Sequence, residues 1–327
     1  MSRILGIETS CDETGVAVIE DGRRMIVNLV ASQVDIHARF GGVVPEIASR
    51  QHTHCIGQLT REALAEAGDR PDAVAVTQGP GLMGSLLVGV NFAKALAYAW
   101  RVPLVPVHHI EGHIFSAFLG QDPPDFPFLA LVVSGGHTCL IDSPRPHEYI
   151  VLGATRDDAI GECFDKVARL LGLSYPGGPS IQKEAEGGDP LAYDFPRGLA
   201  KSDTLEFSYS GLKTAALYAW RKGGVNVQDL AASFQHAAVD TLLIKTRIAL
   251  AQTRARRLVL AGGVAANRLL RDRLRAELDV DLFMPPLSLC VDNGAMIAAA
   301  GHSRWLHGGA GSMRVTPFPN MPLPSCR

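Results

Sequence analysis

Short apolar runs closed by polar, glycine-bearing turns open both halves of the chain. Arg3-Ile4-Leu5-Gly6-Ile7-Glu8 predicts a strand, Thr9 to Gly15 a polar turn, and Val16 to Glu20 a second strand, together a hairpin. The turn gathers hydroxyls, a glycine and carboxylates, a composition suited to a phosphate or its counter-cation. Helical periodicity runs from about Pro45 to Ala67, Ala73 to Thr77 reads as a buried strand, and the glycine-rich turn 79–85 opens a long helix to about Trp100. Such a turn offers free N–H groups to an anion or permits close packing. The pattern restarts beyond Asp122-Pro123-Pro124-Asp125-Phe126-Pro127, the best candidate linker. Leu129 to Val133 is a strand, Ser134-Gly135-Gly136-His137-Thr138 its turn, and Cys139 to Asp142 the returning strand. An internal duplication of two α/β lobes is the simplest account.

Further on, the strand Leu258 to Leu260 enters Gly262-Gly263 ahead of a basic helix, Arg268 to Glu277. Open α/β sheets bind nucleotides at such strand ends. Asn267 reads either as that helix's N-cap or as a ligand-contacting residue. Cys290 to Met296 opens an Ala-rich last helix, with Asp292 as plausible a cap as a metal ligand.

At 327 residues the chain is too long for one ordinary core and suggests two domains. With 47% hydrophobic and 6% aromatic residues, the core is mainly aliphatic. No apolar stretch is long enough to span a bilayer, and MSRILGIETS turns polar too early for a secretory segment. The six cysteines (11, 55, 139, 163, 290, 326) form no C-x-x-C pair, so neither a disulfide framework nor a Cys zinc site is indicated, and a reducing cytoplasm fits. The net charge of −2 carries no global nucleic-acid signature. Locally, Arg254, Arg256 and Arg257, then Arg268, Arg271, Arg273 and Arg275, concentrate positive charge, as a polyanion-binding face or as solvated helix surface.

The sharpest chemical signal is His108-His109-Ile110-Glu111-Gly112-His113. His109 and His113 stand four apart and share one helix face, so both imidazoles can meet one ion, and a carboxylate from elsewhere completes an N,N,O site suited to Zn or Fe. A surface His cluster at a helix start is the alternative. The protease pattern H-E-x-x-H is absent: Glu111 stands two after the first ligand, about 200° round the helix, and is poorly placed as a base beside the metal.

Nine segments in order, ETSCDETG, PGLMGSLLVG, HHIEGH, VVSGGHT, GECFDKVAR, YPGGP, FSYSGLKTA, LAGGVAANRLLR and CVDNGAMIA, carry a resemblance over essentially the whole length. The chain resembles the actin/Hsp70/sugar-kinase (ASKHA) superfamily and, within it, the tRNA N6-adenosine threonylcarbamoyltransferase (TsaD) family, once taken for O-sialoglycoprotein endopeptidases. The resemblance implies two duplicated α/β lobes around a nucleotide cleft: 1–126, completed by the returning segment 297–327, and 127–296. It implies His109 and His113 as metal ligands, with Asp292 supplying a carboxylate from the other lobe. Val132, Val133, Ser134, Gly135, Gly136, Asp165, Gly178 and Asn267 match the family's substrate-binding positions.

The reaction implied is transfer of threonylcarbamoyl from threonylcarbamoyl-AMP to N6 of adenosine 37 in tRNAs reading codons that begin with A. Its metal is one divalent ion, Fe(2+) or alternatively Zn(2+), and its expected partners are a TsaB-like paralogue and a TsaE-like ATPase. Asp12 is a weak candidate for the base. Glu8 stands where the wider superfamily often has Asp, which argues against phosphoryl transfer from this lobe. The competing readings are a metalloprotease, a small-molecule kinase and a non-catalytic ATP-binding scaffold.

Overall fold

The computed structural model describes residues 1–323 and divides into two units. Cys326 and the end of the 297–327 segment lie outside the described residues. Of the described residues, unit 1 comprises Met1–Pro124 together with 285–323; unit 2 is Asp125–Met284.

In unit 1 the chain forms β1 (Arg3–Glu8), β2 (Glu13–Glu20), β3 (Arg24–Ser32), α1 (Val34–Ala38), α2 (Pro45–Ala67), β4 (Ala73–Gly79), α3 (Met83–Trp100), β5 (Leu104–His108) and α4 (His109–Phe115). The sheet order is β3-β2-β1-β4-β5, with β1–β2 and β2–β3 antiparallel and β1–β4 and β4–β5 parallel. Unit 2 carries β6 (Phe128–Val133), β7 (Thr138–Arg145), β8 (Glu148–Ala154), α5 (Ile160–Leu170), α6 (Gly177–Glu184), α7 (Ser210–Arg221), α8 (Val227–Thr253), β9 (Arg257–Ala261), α9 (Arg268–Glu277) and β10 (Asp281–Phe283). Its sheet, β10-β9-β6-β7-β8, repeats the first strand for strand with the same parallel and antiparallel pairings. The duplicated α/β architecture is therefore present. The edge strand β3 was not visible in the sequence, because its mixed exposure breaks the apolar run.

The last helix, α10 (Gly294–Leu306), returns to unit 1. The central hairpin is buried on both faces, so its strands read as continuous apolar runs. Side chains alternate across it: Ile4, Ala17 and Ile19 pack with α10, while Leu5, Ile7, Val16 and Val18 pack with residues of α2 and α3.

Three glycines let α10 lie on the hairpin backbone to backbone. A Cβ on Gly294 would stand 2.5 Å from the Ala17 nitrogen, and one on Gly15 2.5 Å from the Gly294 nitrogen; one on Gly6 would strike the Gly294 carbonyl. The Asn28 side chain also accepts from the Ala295 N–H (3.3 Å). This docking corrects the expected boundary. The chain rejoins unit 1 at Pro285 rather than at 297, so Asp292 belongs to the same unit as His109 and His113, not to the other lobe.

Among the described residues no helix is long and apolar enough to cross a membrane, and Cys11, Cys55, Cys139 and Cys163 are free thiols.

Candidate functional site

α4 begins where β5 ends, and His108 makes the junction. Its Nδ1 accepts from the Ile110 N–H (3.2 Å), so Nε2 carries the proton and donates to the Met321 carbonyl (3.1 Å). Burial pushes this imidazole's pKa down to about 4 and keeps it neutral. Gly112 sets how close α4 comes to α10, since a Cβ there would lie 2.7 Å from the Ile297 methyl. Glu111, fully buried, is held by Arg304 of α10. That pairing gives Glu111 a structural partner and leaves it no part as a protease-type base.

His109, His113 and Asp292 converge. The Asp292 carboxylate lies 3.2 Å from His113 Nε2 and 3.7 Å from His109 Nε2, and one ligand atom from each residue lies within 4.8 Å of the others. Ligand atoms around one tetrahedral ion at ordinary bond lengths stand roughly 3.3 Å apart, so these spacings fit a cation. His113 is fully buried, yet neither ring nitrogen has a hydrogen-bond partner among the described residues. An unsatisfied buried imidazole is costly unless an ion completes it.

Asn293, not Asp292, is the cap of α10, accepting from the Met296 N–H (3.0 Å) and donating to the Val291 carbonyl (2.7 Å). The sequence left cap and ligand open for Asp292; the neighbouring residue takes the cap.

Behind His109 sits a group that sequence reasoning missed. The Glu8 carboxylate lies 3.1 Å from His109 Nδ1 and accepts from Thr77 Oγ1 (2.7 Å) and the Ser10 N–H; Ser10 Oγ is also 3.1 Å from Nδ1. A carboxylate only accepts, so Nδ1 donates its proton to Glu8 and Nε2 is the nitrogen that would meet a metal beside Asp292, the support that a metal-bound histidine usually has. The departure from Asp at this position was the available signal, since the longer side chain reaches the imidazole. Glu8→Gln replaces one acceptor oxygen with a donor, and metal affinity is expected to fall about 10- to 100-fold with the fold intact; chelator competition measures it, and unchanged affinity removes Glu8 from this role.

The electrostatics agree. Burial opposes charge on His109, but the Asp292 and Glu8 carboxylates outweigh it and draw its pKa up to about 9. Burial, with the charges of Asp12 and Asp292, pushes Glu13 up to about 10. Both shifts mark a surplus of negative charge that a cation relieves. Asp12, the candidate base, is buried beside Glu13 in this cluster.

Unit 2 gathers the remaining candidates. Val132 and Val133 are buried in β6 and deliver the 134–136 loop, closed by Ser134 N–H to the His137 carbonyl (2.8 Å) and His137 N–H to Ser134 Oγ (3.1 Å). Gly161 at the start of α5 packs on Ser134 and Gly135, and Gly262, at φ +94°, packs on the Val133 carbonyl; neither position has room for a side chain. Asp165 accepts from the Gly177 N–H (2.7 Å), tying α5 to the helix that carries Gly178, and Gln182 of that helix accepts from the Arg268 N–H (2.7 Å) beside Asn267.

Asn267 caps α9 through the Leu270 N–H (3.0 Å) and also donates to Gln235 (2.8 Å), so the cap reading holds and the amide keeps a second N–H. Gly135, Gly136, Gly178 and Gly263 all face open space, where an added Cβ would meet nothing.

A model of the family described as "tRNA N6-adenosine threonylcarbamoyltransferase" matches residues 24–299. A protein so named from Anaeromyxobacter dehalogenans (strain 2CP-1) is 54% identical over 94% of this chain and 96% of its own. Among solved structures, full-length HypF in its phosphate- and nucleotide-bound form aligns with a TM-score of 0.63 at 15% identity; the match covers 95% of this chain and 47% of that longer one. Component A of (R)-2-hydroxyglutaryl-CoA dehydratase from Acidaminococcus fermentans aligns at 0.53 and 14% identity, over 93% of this chain and 99% of that one. At such identities these two likenesses bear on the fold alone, which is the duplicated ASKHA type. The extent of the family match and the identity of the curated relative together establish that the chain belongs to the tRNA N6-adenosine threonylcarbamoyltransferases, transferases that form threonylcarbamoyladenosine in tRNA.

Proposed function

We propose that this enzyme takes its threonylcarbamoyl group from threonylcarbamoyl-AMP and delivers it to N6 of adenosine 37 in tRNAs reading codons that begin with A. One divalent metal, Fe(2+) or alternatively Zn(2+), is held by His109, His113 and Asp292. The observation that carries the metal is the buried His113 ring, both of whose nitrogens lack a hydrogen-bond partner beside the Asp292 carboxylate. When bound, such an ion supplies Lewis-acid polarisation and neutralises phosphate charge.

The chain's own residues do the rest. The open backbone at Gly135 and Gly136 receives phosphate, and Ser134 adds a hydroxyl. Asp165 accepts from ribose hydroxyls, and Asn267 offers its remaining amide N–H to the nucleoside. Val132 and Val133 fix the loop from the buried strand. The N6 nitrogen attacks the carbamoyl carbon, its bond to the phosphate oxygen breaks, AMP leaves with the electron pair, and the N6 proton passes to an acceptor, for which Asp12 is the candidate. The reaction is placed in the cytoplasm, with a TsaB-like paralogue and a TsaE-like ATPase as partners.

Gly135→Val tests the substrate loop. An added Cβ there meets no protein atom, so the fold is expected to survive while adenylate affinity in calorimetry falls by about tenfold or more, a loss of at least ~1.4 kcal/mol. Unchanged affinity places the adenylate elsewhere. Modified adenosine in digests of tRNA incubated with threonine, bicarbonate, ATP, a threonylcarbamoyl-AMP synthase and this protein, with and without the two partners, tests the reaction itself.

A further inference from the structure

The cations that the sequence offers for tRNA on α9 have acidic or backbone partners. Arg268 and Arg275 flank Asp272 (3.7 and 3.5 Å), Arg271 donates to the Ala265 carbonyl (2.6 Å), and Arg273 is held by Asp240 and Glu277. A different surface of unit 2 has the chemistry that α9 lacks. The helix α7 buries Leu212 and Ala216 and turns Thr214, Tyr218, Arg221 and Lys222 outward, spaced so that they share its exposed side.

Tyr218 is 60% exposed, a large ring left in solvent, and Trp220 beside it is partly exposed. Arg221 and Lys222 are exposed and have no ion-pair partner among the described residues. From Phe207 to Gln228 the chain holds no carboxylate, and the next one, Asp229, accepts from the Asp189 N–H (2.8 Å). The helix runs out into Gly223 and Gly224, at φ +75° and +66°, whose backbone faces open space. Cations at a helix C-terminus are favoured by the helix dipole. That account does not reach the exposed ring.

We propose that the end of α7, formed by Tyr218, Arg221 and Lys222, is a contact surface for an unpaired stretch of the substrate tRNA. Tyr218 stacks on a base and the two cations meet phosphates, the combination by which proteins hold single-stranded RNA. The bare backbone of Gly223 and Gly224 allows a phosphate to approach closely. This surface rests on the tRNA-modifying reading of the chain.

The test measures binding of unmodified tRNA to the full-length protein by fluorescence anisotropy across 50–200 mM salt, an interval over which each phosphate contact in a single strand contributes a slope of about −0.7. Arg221→Gln/Lys222→Gln is expected to bind more weakly and to flatten the salt slope by about 1.4. Tyr218→Ala is expected to lose about tenfold in affinity with the slope unchanged, and Tyr218→Phe to recover it, because stacking needs only the ring. Arg268→Gln/Arg275→Gln serves as the control and is expected to bind as wild type.

Wild-type affinity and slope in both α7 variants overturns the proposal, as does loss confined to the α9 control. Wild-type protein that modifies tRNA while the α7 variants bind normally defeats this surface alone. Wild-type protein that neither binds nor modifies tRNA defeats the underlying reading and this surface with it.

Discussion

Asp292→Asn protein is expected to purify folded and nearly free of metal. The substitution keeps the shape of the side chain and removes the charge of the carboxylate, one oxygen of which lies 3.2 Å from His113 Nε2 and 3.7 Å from His109 Nε2. Loss of a partner one shell removed typically costs about 10- to 100-fold in affinity, so loss of a ligand is expected to exceed ~100-fold. Elemental analysis and chelator competition read the result directly, and threonylcarbamoyl transfer is expected to fall with it. His113→Leu is expected to behave likewise, with a further signature. In metal-free protein it replaces a buried ring whose nitrogens make no hydrogen bond, an arrangement that costs about 1–3 kcal/mol and is offset in part by the Asp292 carboxylate 3.2 Å from Nε2, so its melting temperature should at least equal that of metal-free wild type. Wild-type metal content in either variant sinks the three-ligand site.

The second large effect is expected at a residue that touches no substrate. Gly294→Ala places a Cβ 2.5 Å from the Ala17 nitrogen and 2.7 Å from the Val16 carbonyl carbon, and backbone on both sides leaves nothing to rotate away. Overpacking of this kind costs about 1–3 kcal/mol and occasionally more. At the upper end, with each kcal/mol worth about 2–4 °C in a unit of this size, the melting temperature is expected to fall by about 6–12 °C. Because α10 must lift from the hairpin to relieve the clash, Asp292, two residues upstream, moves with it. Metal affinity is expected to drop together with stability. A destabilised variant that still binds metal like wild type would show that the docking of α10 does not set the position of Asp292.

What was legible in the sequence divides along physical lines. The helix Pro45–Ala67 was bounded correctly because proline at its start and glycine just beyond its end are local signals. Arg268–Glu277 was likewise bounded, by an Asn cap at its start. The duplication was legible because β1, β2 and β6 are buried on both faces and so read as apolar runs beside a polar turn, with the shorter run Cys139 to Asp142 completing the second hairpin. The i, i+4 spacing of the two histidines is also local, and the structure brings both rings to one carboxylate.

Long-range contacts were not legible. That Asp292 shares a unit with the histidines follows from three glycines, at 6, 15 and 294, whose contact no sequence window contains. That Glu8 orients His109 depends on a hydrogen bond between residues 101 positions apart. The exposure of Tyr218 and the pairing of Arg273 with Asp240 are likewise properties of packing, whereas the pairs that α9 makes with its own Asp272 and Glu277 are local.

The return of α10 to the first sheet has a consequence for biosynthesis. Unit 2 is an insertion in unit 1, so on the ribosome its whole sequence emerges while the hairpin face made by Ile4, Ala17 and Ile19 still lacks its cover. Domains generally fold in order from the N-terminus as they are made; here the second unit can finish first, and the first must wait for α10, which follows unit 2 in the chain. His109 and His113 are synthesised before the whole of unit 2 and Asp292 after it, so the proposed three-ligand centre can form only once unit 2 has been made. Until then the nascent chain presents an apolar sheet face that calls for chaperone protection, and truncation anywhere before α10 leaves it permanently bare.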